Sequence, residues 1–208
     1  MRIISKLQSF FTRKQPLPLA DVEAIVDQLI ELGFLRFTPN SKKEAVRQQL
    51  VESVRNNYLD SDWDDDCVSA DKRSYSADAE DLAEGDIGNC LRQMCQVLSQ
   101  EGVVLESVED SFTEEHKRYE VIVNGVSHLI YDLNETSVEE IWLLSFRRLV
   151  EIVNGLLIEA GSSERLFGLY GGNDARVILL TESMHDLIRE NTDIFDEGWM
   201  PMAQDQIR

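Results

Sequence analysis

Beyond Pro18, apolar residues recur at helical spacing in five segments and at a period of two in several others. A first helix is predicted from about Asp21, with Val22, Ile25, Val26, Leu29 and Ile30 on one face and Gly33 as its stop. Ser41-Lys42-Lys43-Glu44 has the form of a capping box and opens a second, marked by Ala45, Val46, Gln49, Leu50 and Val54 towards Tyr58. Ile87, Cys90, Leu91, Met94, Val97 and Leu98 outline a third, closed by Gly102. The period then switches to two, so Val103 to Phe112, Arg118 to Val123 and Val126 to Tyr131 read as strands. Asn124-Gly125 is a hairpin signal, because a type I′ turn needs φ > 0 at both central positions. That two-residue loop sets Val121 opposite His128 and places the histidine on the face of Tyr119, Val121, Val123 and Ile130.

Ser137-Val138-Glu139-Glu140 is a second capping-box match. It opens a long helix that runs through Ala160 to Gly161 and is apolar around most of its circumference, with Glu140, Arg147, Arg148, Glu151 and Glu159 on a narrow charged strip. Arg165–Tyr170 and Arg176–Leu180 form a further hairpin about Gly171-Gly172-Asn173-Asp174, and Thr181 caps a last helix bearing Met184, Leu187 and Ile188. Sequential hairpins with helices to one side predict an α+β fold. In it a mainly antiparallel sheet of about five strands carries a long central helix, beside an N-terminal helical pair. The expected organisation is a basic amphipathic segment over 1–17, a single α+β domain over 18–190, and a tail over 191–208 without clear period. Within the domain, 18–59 is helical, 60–86 an acidic loop region and 87–190 the sheet-and-helix core.

Charge adds what periodicity does not. Twenty basic and 39 acidic residues leave a net charge of −19, a field that disfavours nucleic acid and anionic membranes and favours fast capture of a basic partner. Cys67, Cys90 and Cys95 cannot all pair within one chain and form no C-x-x-C, which fits a reducing compartment and a cytoplasmic location. Residues 1–14 carry Arg2, Lys6, Arg13 and Lys14 among Ile3, Ile4, Leu7, Phe10 and Phe11; such a helix would suit a membrane surface, but packing on the body or fraying is the favoured reading.

The acid is concentrated between Asp60 and Asp86, where eleven carboxylates face only Lys72 and Arg73. Asp60, Asp62, Asp64, Asp65, Asp66 and Asp71 lie within thirteen residues, with Trp63 among them; Tyr75, Asp78, Glu80 and Asp81 follow. Three chemistries suit the stretch. A calcium loop of the form D-x-[DN]-x-[DN]-G-x₅-E would use Asp60, Asp62, Asp64, Asp66 and Asp71, yet Asp65 stands where the glycine belongs and Asp71 where the bidentate glutamate belongs. A solvated loop is the commonest state of such runs. Aromatic side chains amid carboxylates suggest a docking surface for a basic protein, with Trp63 or Tyr75 as anchors. No cofactor motif is present: Cys90 and Cys95 lie about 140° apart on one helix, H-E-x-x-H and G-x-S-x-G are absent, and a strand rather than a helix follows the Gly171-Gly172 turn. A non-catalytic binding protein is the favoured expectation; a cation-binding protein using the Asp60–Asp71 loop and an enzyme with an unrecognised site are the alternatives.

In the C-terminal half, Trp142, Asn154, Leu156 and Leu157, then Gly171 to Asp174, Leu180 and Thr181, resemble the pattern of small acidic bacterial proteins of the polymorphic-toxin immunity type over about residues 137–190. The resemblance implies a non-catalytic protein that binds and neutralises a cognate toxin. It carries no motif for the acidic region.

Overall fold

The computed structural model describes residues 18–64, 68–113, 115, 117–169, 175–195 and 199–207. Among them are five helices of eight residues or more and six strands. Helices α1 (Leu19–Glu31) and α2 (Lys43–Arg55) precede the short strand β1 (Ser74–Ser76). A wide turn over Leu82–Asp86 leads into α3 (Ile87–Gln100). Strands β2 (Val108–Phe112), β3 (Arg118–Val123) and β4 (Val126–Asp132) follow, then α4 (Ile141–Glu159), β5 (Glu164–Leu169), β6 (Arg176–Thr181) and α5 (Glu182–Glu190).

The strands make two antiparallel sheets of three, ordered β1-β6-β5 and β2-β3-β4, rather than the single sheet of about five that periodicity suggests. The additional strand, β1, lies in the polar stretch after the aspartates and pairs Tyr75 with Val177 across β6. The β3–β4 hairpin keeps its expected register, with Val121 opposite His128 and Asn124 and Gly125 at φ 51° and 81°. The turn joining β5 to β6 falls outside the described residues, as do 1–17.

β6 explains the architecture. Its run Val177-Ile178-Leu179-Leu180 is buried on both faces, so no period-two polar face survives in it. Val177 and Leu179, with Tyr75 and Leu166, face a core shared with α3, α4 and the second sheet. Ile178 and Leu180, with Phe167 and Leu169, face a second core built by α1, α2 and α5. Helix α4 packs against both β4 and β5, so it bridges the two sheets instead of lying on one. Residues after 190 are part of this body: Phe195 and Ile207 are buried, and Met202 exchanges two backbone hydrogen bonds with Gly168.

A buried ionic cluster joins the layers. Arg73 and Glu164 are both 0% exposed. The Arg73 guanidinium donates from Nη1 to Glu164 Oε2 at 2.8 Å and to the Leu179 carbonyl at 2.7 Å. From Nη2 it donates to the Gly33 carbonyl at 2.9 Å and Glu164 Oε1 at 3.2 Å, and from Nε to the Phe34 carbonyl. All five N–H groups are thus occupied, while the rings of Phe34 and Phe37 stack against the guanidinium at 5.2 and 4.6 Å. Arg36 reaches the same Glu164 and also pairs with Glu101 at the end of α3.

Candidate functional site

The acidic stretch is folded where it is described. Asp62 to Asp64 run antiparallel to Val68 to Ala70: Trp63 bridges Ser69, and the Asp64 N–H donates to the Val68 carbonyl at 3.0 Å. Three side chains hold it in place. Asp71, 1% exposed, accepts from Ser61 Oγ at 2.8 Å, Ser69 Oγ at 2.6 Å and the Arg73 N–H at 2.7 Å. A carboxylate so fully hydrogen-bonded in the interior organises the loop and offers nothing to a partner or a surface cation. Tyr75 is likewise internal, 1% exposed, with its hydroxyl donating to the Lys72 carbonyl at 2.9 Å. Its burial between β6 and α3 corrects the expectation of a surface anchor and raises its phenol above the usual range, chiefly through desolvation.

Asp60 is half-buried and faces Arg176 at the start of β6, which donates to its Oδ2 at 2.7 Å. Asp60 Oδ1 accepts the indole N–H of Trp63 at 2.7 Å. Burial lifts the Asp60 carboxyl above its ordinary value, against the opposing pull of Trp63 and Arg176. The Arg176 guanidinium lies over Trp63 at 4.6 Å and over Trp199 at 5.2 Å, and Trp199 in turn meets Tyr58 with ring centroids 5.5 Å apart. Two indole rings and one carboxylate therefore surround a cation supplied by the protein itself, the geometry of a cation–π site, and Tyr58 backs one of the indoles.

Beside this cluster opens a cavity of about 390 Å³ lined by Gln49, Glu52, Ser53, Tyr58, Asp60, Ser61, Asp62 and Trp63. Asp62, on its wall, and Asp64 are both exposed; Asp62 accepts from Gln49 of α2, and Asp64 pairs with Lys72 at 2.7 Å. Asp65 and Asp66, expected in the same surface, fall outside the described residues. Asp78 caps the next helical turn, accepting from the N–H groups of Glu80 and Asp81 at 2.9 and 3.3 Å, so local backbone satisfaction accounts for it. Glu80 is partly exposed and Asp81 exposed.

The five carboxylates proposed for a calcium loop do not converge as far as they are described: Asp60 turns to Arg176 and Asp71 inward to two serines. Among the described residues no three His, Cys, Asp or Glu side chains gather for a metal ion. His128 is half-buried on the expected face, and His116 lies outside the described residues.

Tyr58, Glu52, Arg176 and Trp199 are the members that periodicity missed. Arg176 is 116 residues from Asp60, and nothing local marks it; Trp199 alone carried a signal, as an aromatic in a segment without period. The fold and site define an α+β protein of two three-stranded sheets with an acidic, aromatic-rich recess beside α2. No family model matches the chain, and no curated protein or solved structure is significantly similar to it. Among the described residues no helix is long and apolar enough to cross a membrane.

Proposed function

We propose that the chain is a non-catalytic protein-binding module that receives a basic partner on the surface around Trp63, in the manner of an immunity protein that occludes a toxin. The observation that carries this reading is the engagement of Arg176 by Trp63, Trp199 and Asp60. The surface already holds one guanidinium, and the adjoining recess repeats the same ingredients, Tyr58, Trp63, Asp62 and Glu52, with space left for another cationic side chain. The net charge of −19 adds long-range attraction that speeds encounter with a basic protein. Binding would act by covering the partner's working surface, which requires no chemistry from this chain.

The test is a pull-down from native-cell lysate, washed at low and then high salt, repeated with Asp62→Lys and Asp64→Lys. A single basic protein that is retained at low salt, and lost from the charge-reversed variants, is the expected result. A partner that binds the variants as tightly as the parent would remove the acidic surface from the proposal.

A further inference from the structure

The two strand edges beside α4 differ. On β5, the backbone of Leu166 is occupied by the Asn154 amide and that of Gly168 by Met202, so this edge is closed. β4 is an outer strand of the other sheet, and no strand among the described residues pairs with its free side. The hairpin fixes which groups are left there. Val126 and His128 stand opposite Val123 and Val121 and bond inward to β3, so Ser127 and Leu129 turn their N–H and C=O groups outward. Neither has a backbone partner elsewhere in the described chain. Exposed edges are commonly blunted by lysine, proline, inward charge or a bulge. Val126 to Leu129 carries none of these, and the one irregularity, an extra residue at Ile130, lies beyond it.

Beside this edge lies a groove of about 500 Å³ between β4 and α4. Val126 and His128 line it from the strand, and Ile152, Gly155, Leu156 and Glu159 from the helix. Val126 is 59% exposed, and a Cβ built on Gly155 would meet nothing within 4 Å, so the groove has room at that point. Free main-chain groups beside an apolar groove are the two parts of a strand-addition site: the edge supplies hydrogen bonds, and the groove receives alternate side chains. The same geometry limits the occupant. α4 packs on β4, and a second copy joined edge to edge would bring its own α4 to about 4.8 Å from this one, where helix axes need about 8–10 Å. The edge therefore suits a lone extended segment with no helix at its back. Charge selects among such segments. Glu159 is exposed and has no ion-pair partner among the described residues, and the net charge is −19, so lysine or arginine is favoured at that end.

We propose that β4 accepts an extended peptide segment of a partner protein as a fourth strand of its sheet. The segment bonds to the backbone of Ser127 and Leu129, lays an apolar side chain over Gly155 and turns a lysine or arginine towards Glu159. A contact this short binds weakly, with a Kd of roughly micromolar order. The site is separate from the acidic recess and does not depend on it.

The probe is a displayed library of random dodecapeptides, selected on the full chain and counter-selected on Gly155→Leu, whose added side chain has room in the protein but fills the groove. Circular dichroism checks that this variant folds, and Val126→Lys, at an exposed position, blocks the edge independently. The expected result is enrichment of peptides with apolar residues at alternate positions beside lysine or arginine. A selected peptide should slow amide exchange at Ser127 and Leu129. Its affinity should fall roughly tenfold with Val126→Lys, and by a similar factor when its own alternate amides are N-methylated. No enrichment over the counter-selection, or a selected peptide that leaves both amides exchanging as before, would overturn the proposal. So would slow exchange at both amides in the peptide-free chain, whether a dimer seen by sedimentation or a segment of the chain itself covers the edge. Binding at β4 should persist in Asp62→Lys and Asp64→Lys, and peptides lost from those variants would belong to the recess and count against this site. Failure here therefore leaves the reading of the acidic recess standing, and the reverse also holds.

Discussion

Arg73 shows how much one side chain can decide. It is the most fully buried cation among the described residues, and its five bonds tie the turn after α1, the start of β5 and the middle of β6. Removing one member of such a pair leaves a buried charge uncompensated, so Arg73→Met should lower stability by about 3–5 kcal/mol, and Arg73→Met with Glu164→Leu should recover much of the loss. Urea denaturation measures both; a single variant within 1 kcal/mol of the parent would show the cluster to be dispensable. A second residue-scale expectation concerns pH. Burial pushes the Cys90 thiol from its ordinary 9.0 up to about 12, with the charge of Asp86 adding to it. Desolvation also raises the phenols of Tyr75, Tyr119 and Tyr131. The folded chain keeps protons that the unfolded chain releases, so these contributions are whole below pH 9 and are lost as pH rises towards 12. Thermal midpoints should fall across that window, and at pH 8 a thiol reagent should modify the exposed Cys95 while sparing Cys90. Equal labelling of both in the native protein would contradict the burial.

At the scale of elements, glycine stops and hairpin turns were legible because they depend on backbone conformation within a few residues. Gly33, Gly102 and Gly161 take φ of 98°, 84° and 71° where the three helix ends were expected. The capping boxes were less faithful. Ser41 makes no cap, and α2 starts after Lys42; Glu140 does reach back to the Ser137 N–H at 3.3 Å, but one turn ahead of the regular helix. Asn154, noted only as part of a resemblance, has a structural duty that no local pattern announces. Its amide accepts from the Leu166 N–H at 2.7 Å and donates to the Leu166 carbonyl at 2.9 Å, completing an edge of β5 that Met202 closes two residues on. A side chain thus stands in for a neighbouring strand and blocks that edge against further pairing. Asn154→Ala should lower stability by about 1–3 kcal/mol, since two buried backbone groups lose their partners. Faster amide exchange at Leu166 than at Leu179 would accompany the loss; unchanged exchange there would refute the role.

For the whole molecule, the sheet that holds β6 separates two cores and packs together segments that looked separable, including described residues after Asn191. Its charge acts at this scale too. Self-repulsion at −19 opposes the compact state, so the melting temperature should rise as sodium chloride is raised from low ionic strength to about 0.15 M, where the Debye length falls to about 8 Å. A melting temperature indifferent to salt would mean that ion pairs inside the acidic stretch, such as Lys72 with Asp64 and Arg176 with Asp60, already offset the repulsion.

The sequence by itself determined the α+β class, the positions of the long helices, the β3–β4 register and the anionic middle. Each of these rests on the spacing of neighbours or on a sum of charges. Only the tertiary structure decided that the strands divide into two sheets, that Tyr75 and Asp71 turn inward while Trp63 and Asp62 stay accessible, and that Arg176 and Trp199 join them. Those facts depend on contacts between residues far apart in the chain. A tyrosine or aspartate has the same local preferences whether β6 covers it or water does, so burial could be read only once the strands had met.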